Sequence, residues 1–81
     1  MKVEVKLFAI LKQLTGQDAL EVELSDGATI DDLRAAMAEA RPELRPILPS
    51  VLFAIDSAYA SGDTAVRPGA EIACIPPVSG G

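Results

Sequence analysis

The chain has no histidine and no tryptophan, and its aromatic residues are two phenylalanines and one tyrosine. Without histidine, the commonest general base and the commonest neutral metal ligand are both missing. Cys74 is the single cysteine, which excludes an internal disulfide. No apolar run approaches the roughly 18 residues of a membrane span, so no membrane partner is expected. Positive charge is also scarce. Three lysines (Lys2, Lys6, Lys12) and four arginines are scattered against 12 acidic residues, for a net charge of −5. With no basic cluster to neutralise phosphates, nucleic acid is not an expected partner. An acidic surface is instead suited to basic surfaces on other proteins. The start, Met1-Lys2-Val3-Glu4, alternates charge where a signal peptide needs an apolar stretch, so the cytoplasm is the expected location.

What remains is a small globular composition, with 49% apolar and 23% charged residues over 81 positions. A domain of this size buries only about 60–65% of its unfolded surface, too little for a deep pocket of its own. A binding module or a subunit of something larger fits better.

Along the chain, Val3, Val5 and Leu7 alternate with Lys2, Glu4 and Lys6, which predicts a strand with one wet face. Ile10, Leu11 and Leu14 share a helical face, and Gly16 is a natural stop, so one or two helical turns are expected. Leu20, Val22 and Leu24 alternate with Glu21 and Glu23 in a second strand, followed by the turn residues Ser25-Asp26-Gly27. Thr29 with Asp32 three residues on predicts a capped helix. Its buried stripe is expected to be Ile30, Leu33, Met37 and Ala40, ending before Pro42. Capping and the helix dipole account for Asp31 and Asp32, so no metal is expected there.

After a proline-punctuated connection, the apolar run Val51–Ile55 reads as a strand. Asp56-Ser57 turns it into Ala58-Tyr59-Ala60. Pro68-Gly69 has type II turn chemistry, and Glu71–Ile75 makes a last strand. Phe8 and Phe53 are expected in the core, with the option that one belongs to an exposed docking patch, and Cys74 is expected to pack. Strands in pairs around one substantial helix predict a two-layer α+β domain over residues 1–75.

Residues 76–81 form a tail of different character, Pro76-Pro77-Val78-Ser79-Gly80-Gly81. The prolines end the strand and hold the chain extended, giving a reach of roughly 20 Å. Ser79, Gly80 and Gly81 are thin enough to thread a narrow channel. Ile75 and Val78, with Pro76 and Pro77 between them, are the candidate partner contacts, since apolar groups on an exposed tail are otherwise unfavourable. The tail's only permanent charge is the carboxylate of Gly81. ATP can convert such a carboxylate to an acyl-adenylate, and a sulfur nucleophile can then leave a thiocarboxylate. Covalent carriage divides one hard step into easier ones.

The segments Leu7-Phe8-Ala9, Leu14-Thr15-Gly16, Thr29 through Leu33-Arg34 and the Pro-Pro-Val-Ser-Gly-Gly ending resemble the small sulfur-carrier subunits of molybdopterin synthase, a ubiquitin-like β-grasp family. The resemblance implies a mixed sheet covered by one main helix. It implies that Gly81 is the reacting residue, passing through a glycyl adenylate to 1-thioglycine, its thiocarboxylate. ATP would be used by a ubiquitin-activating-enzyme-like adenylyltransferase, with no cofactor bound to this chain. The tail would insert into the large synthase subunit, in a heterotetramer whose catalytic pocket lies on that subunit, and deliver sulfur to cyclic pyranopterin monophosphate to form the molybdopterin dithiolene. Asp56 stands where the family often has asparagine, and Ile75 where it often has an aromatic residue. Alternatives are a carrier for thiamin thiazole synthesis or for a tungsten cofactor, a ubiquitin-like modifier that forms isopeptide bonds, and a β-grasp interaction module.

Overall fold

The computed structural model describes residues 1–77. Five strands and two α-helices follow one another as β1 (Lys2–Leu7), α1 (Ile10–Thr15), β2 (Ala19–Glu23), α2 (Ile30–Ala40), β3 (Leu52–Ile55), β4 (Ala58–Ala60) and β5 (Ile72–Ile75). Two 3-10 turns, Pro42–Leu44 and Leu48–Ser50, bridge α2 and β3. The strands form one sheet in the order β2-β1-β5-β3-β4. β1 pairs antiparallel with β2 and parallel with β5, and β3 pairs antiparallel with both β4 and β5. This mixed sheet with one main helix is the expected β-grasp arrangement.

The alternation read in β1 and β2 is realised. Val3, Val5, Leu7, Leu20 and Val22 enter the core together with Phe53, Ile72 and Cys74, while Lys2, Glu4, Lys6, Glu21 and Glu23 stay wet. From the helix side, Ile30, Leu33 and Met37 close the layer. α2 begins in a full capping box: the Thr29 hydroxyl accepts from the Asp32 amide, and the Asp32 carboxylate accepts from the Thr29 amide at 2.9 Å. The next free amides of the helix start are taken by the chain between β4 and β5. Ile30 donates to the Thr64 carbonyl at 3.0 Å, and Asp31 to the Gly62 carbonyl at 2.9 Å. That end of α2 therefore has its donors filled from within.

One side-chain expectation is corrected and two that were left open are resolved. Ala40 is exposed, because its place at the end of the stripe is taken by Leu44 and Leu48, which the two 3-10 turns fold under α2. In α1 only Leu11 is buried; Ile10 and Leu14 are exposed, because a six-residue helix lying on the domain edge presents only one side chain to the core. Phe8 is 46% exposed, on the sheet face opposite α2, which leaves Phe53 as the core phenylalanine. Gly16 does end α1, with φ at 70°.

Arg34, which is not part of the expected stripe of α2, is half-buried. Its Nη1 donates to the carbonyl of Val51 at 3.0 Å and also to that of Leu48, and its guanidinium lies 5.0 Å from the centroid of the Phe53 ring. The staple ties α2 to the turn that launches β3.

Candidate functional site

α2 covers one face of the sheet, so the other face depends on the side chains alone. On β1 and β2 that face carries Lys2, Glu4, Lys6, Glu21 and Glu23. On β3, β4 and β5 it carries Leu52, Ala54, Tyr59, Ala73 and Ile75. Their register joins them: Ala54 stands opposite both Tyr59 and Ala73, and Leu52 opposite Ile75. Phe8, just beyond β1, completes the surface. With Ala54, Ser57, Tyr59, Ala73 and Ile75 it lines an open apolar depression of about 470 Å³. Leu52 is 52% exposed and Tyr59 73%. A monomer of this size rarely spends so many large apolar groups on one exposed face unless another protein covers them.

Local backbone geometry holds the depression in shape. Ala9 has φ 51° and ψ −124°, a strained conformation for a residue with a Cβ, and it turns the chain out of β1 so that Phe8 remains on the outer face. Asp56 and Ser57 have φ 49° and 71°, which makes the β3–β4 connection a two-residue hairpin turn of the type that fits strand twist. The Asp56 carboxylate accepts from the Glu71 amide at 3.0 Å and from the Arg67 guanidinium at 3.1 Å, while its own amide donates to the Glu71 carbonyl at 2.8 Å. Asp56 thus fills the turn role expected of it and also pins the hairpin to the start of β5.

The tail leaves from the edge of this depression. β1 pairs with β5 only as far as Cys74, so the last rung before the prolines is Leu52 opposite Ile75. Ile75 and Pro76 are half-buried and Pro77 is exposed. Of the residues singled out in the sequence, Ile75 is brought into the apolar face and Pro76 and Pro77 continue from it. Val78, Ser79, Gly80 and Gly81 lie outside the described residues.

Cys74 faces the opposite way, into the core, and is fully buried. Burial pushes its thiol from 9.0 up to about 12, the Arg34 charge opposing only in part. A thiol needs its thiolate form to act as a nucleophile, so Cys74 is inert at neutral pH. Among the described residues no group of three or more His, Cys, Asp or Glu side chains is placed to hold a metal ion, and Asp32 is committed to the cap.

The family model described as the ThiS family matches residues 5–81. The chain belongs to the ThiS family. Its match runs from within β1 to the Gly80-Gly81 end. A molybdopterin synthase sulfur carrier subunit from Chlamydomonas reinhardtii is 35% identical over 83 residues, covering 100% of both chains. Among solved structures, SAMP1 from Haloferax volcanii, a small archaeal modifier protein, superposes with a TM-score of 0.86 at 30% identity and 100% coverage of both chains. A Helicobacter pylori complex of subunits 1 and 2 of molybdopterin-converting factor contains the same fold at a TM-score of 0.69 and 24% identity, with 100% of both chains covered. This ThiS-family chain is a ubiquitin-like β-grasp protein of the sulfur-carrier group.

Sequence reasoning did not single out Leu52, Tyr59 or Ala73 for the site. A signal was present in Leu52-Phe53-Ala54-Ile55, apolar on both sides of the strand, in a domain with one helix to cover one face. No helix of the described residues is long and apolar enough to cross a membrane.

Proposed function

We propose that this ThiS-family chain is the sulfur-carrying subunit of a molybdopterin synthase, with a docking domain over residues 1–75 and a reactive tail over residues 76–81. The observation that carries the reading is the apolar outer face whose edge, at Ile75, is also the root of the Gly-Gly tail. Docking and delivery are then coupled: a partner that covers Phe8, Leu52, Tyr59 and Ile75 receives the tail at a set point. The carboxylate of Gly81 attacks the α-phosphate of ATP on an activating enzyme, releasing pyrophosphate and leaving a glycyl adenylate. A sulfur donor displaces AMP to give the thiocarboxylate, 1-thioglycine. The tail, with Val78, Ser79 and Gly80 in the channel, then enters the large synthase subunit and donates sulfur to cyclic pyranopterin monophosphate. The chain binds no cofactor, and its partners meet it in the cytoplasm as a heterotetramer of two large and two small subunits.

The support is the family match through Gly81, a relative of that name along the whole chain, and the burial of Cys74, which makes it a poor rival for the sulfur. The likeness to a small archaeal modifier protein favours a second reading, in which the same activated Gly81 is captured by lysines of other proteins. Intact and one-residue-extended protein are incubated with the activating enzyme, ATP and a sulfur source, and each is weighed. Extension moves the carboxyl carbon by about 3.5 Å, as far as the separation that reacting atoms must keep. Intact protein is expected to exchange one oxygen for sulfur and the extended form is not; equal conversion of both refutes the reading. Isopeptide-linked conjugates without synthase activity would select the modifier instead.

A further inference from the structure

The two edges of the sheet are built differently. β2, at one edge, carries Glu21 and Glu23 and follows Asp18, the kind of charge that keeps other strands away. β4, at the other, lies in the segment Ser57-Ala58-Tyr59-Ala60-Ser61, which contains no charge and no proline and reads the same in both directions.

The hairpin fixes which backbone groups this edge exposes. A two-residue turn with positive φ at Asp56 and Ser57 closes on Ile55 and Ala58, the pair that exchanges hydrogen bonds in such a hairpin. Pairs alternate along an antiparallel ladder, so the next pair, Ala54 opposite Tyr59, is not hydrogen-bonded. The N–H and C=O of Tyr59 therefore point away from β3, out of the sheet edge. No backbone partner for either is found among the described residues.

We infer that β4 is a self-complementary edge that pairs with β4 of a second copy of this chain, antiparallel and centred on Tyr59. About a twofold axis through that point, the two Tyr59 residues form the hydrogen-bonded pair, each N–H donating to the other's carbonyl. Ala58 meets Ala60, and Ser57 meets Ser61, in both halves. The palindrome puts identical, uncharged neighbours on each side, so nothing in the register repels. The Tyr59 side chains stand on the same face at adjacent positions, where aromatic cross-strand pairs are favourable. The ten-stranded sheet that results keeps both apolar depressions on one side. A three-residue edge falls well short of the roughly 1,200 Å² that a stable interface buries, so the dimer is weak and concentration-dependent. A partner that covers Tyr59 displaces it.

The test is sedimentation velocity over a concentration series up to the millimolar range, combined with amide hydrogen exchange on the same samples. The wild-type mass is expected to rise from 8.5 kDa towards twice that value, with the Tyr59 amide gaining protection in step. Tyr59→Lys sets two like charges face to face at the axis and should stay monomeric; because the side chain is exposed, its melting temperature should match wild type. Ala58→Lys, one rung from the axis, should weaken pairing less. Wild type that stays monomeric throughout, Tyr59→Lys that dimerises equally, or dimerisation without protection of the Tyr59 amide overturns the inference. Protection of that amide only on adding the large synthase subunit would assign the edge to that partner and overturn it as well. None of these readouts depends on sulfur transfer.

Discussion

Replacing Arg34 by methionine keeps the apolar stem of the side chain and removes its charge. The wild-type guanidinium donates to the Leu48 and Val51 carbonyls and sits over Phe53. A hydrogen bond to a charged donor contributes roughly 1.5–3 kcal/mol, and a cation over an aromatic face about 0.5–2 kcal/mol. The charge itself is three-quarters removed from water, with 27% of the side chain exposed, so part of that gain is offset by desolvation. The net loss should be about 3 kcal/mol. For a domain of this size each kcal/mol shifts the melting temperature by roughly 4–8 °C, so a fall of about 15 °C is expected. Arg34→Lys keeps a point charge but not the fork, and should fall between the two. Circular dichroism melts and urea titrations of the three proteins measure this. A melting temperature for Arg34→Met within about 3 °C of wild type, on the same scale, would show that the staple is incidental and that the start of β3 is set by apolar packing alone.

Two further outcomes are expected besides those for Gly81 and Tyr59. Phe8→Asp should leave thermal stability unchanged, because Phe8 is half-exposed, yet weaken binding to the large synthase subunit proposed as its partner by about 2 kcal/mol, roughly thirtyfold, in calorimetry; unchanged affinity would remove the outer face from the proposed interface. Cys74 carries a pH signature. Its thiol titrates at 9.0 when unfolded and about 12 when folded, so both states hold the proton below pH 9, and above it the unfolded chain releases a proton that the native core retains. Stability is therefore lost as pH rises from 9 towards 12, by about 1.4 kcal/mol per pH unit from this group. Cys74→Ala should be less stable at neutral pH but show a shallower alkaline decline in urea titrations, and parallel declines would mean the thiol is not buried as described.

Local chemistry was legible in the chain. Thr29 and Asp32 announce the start of α2, Gly16 and Pro42 the ends of the helices, and Asp56-Ser57 the hairpin, because caps and turns are decided by residues within three or four positions of one another. The alternation of β1 and β2 likewise named their buried residues in advance. Side-chain fate was less legible wherever a distant segment competes for the same space. Ala40 lost its place to Leu44 and Leu48, and Arg34 found its partners 14 and 17 residues away. The apolar outer face was decided only by tertiary structure. Leu52, Ala54, Tyr59, Ala73 and Ile75 come from three strands that become neighbours when β5 inserts between β1 and β3, a pairing made by backbone hydrogen bonds that carry no side-chain signature. Their exposure follows from a count that no local window contains: a sheet has two faces, and the described residues hold one helix long enough to cover one of them.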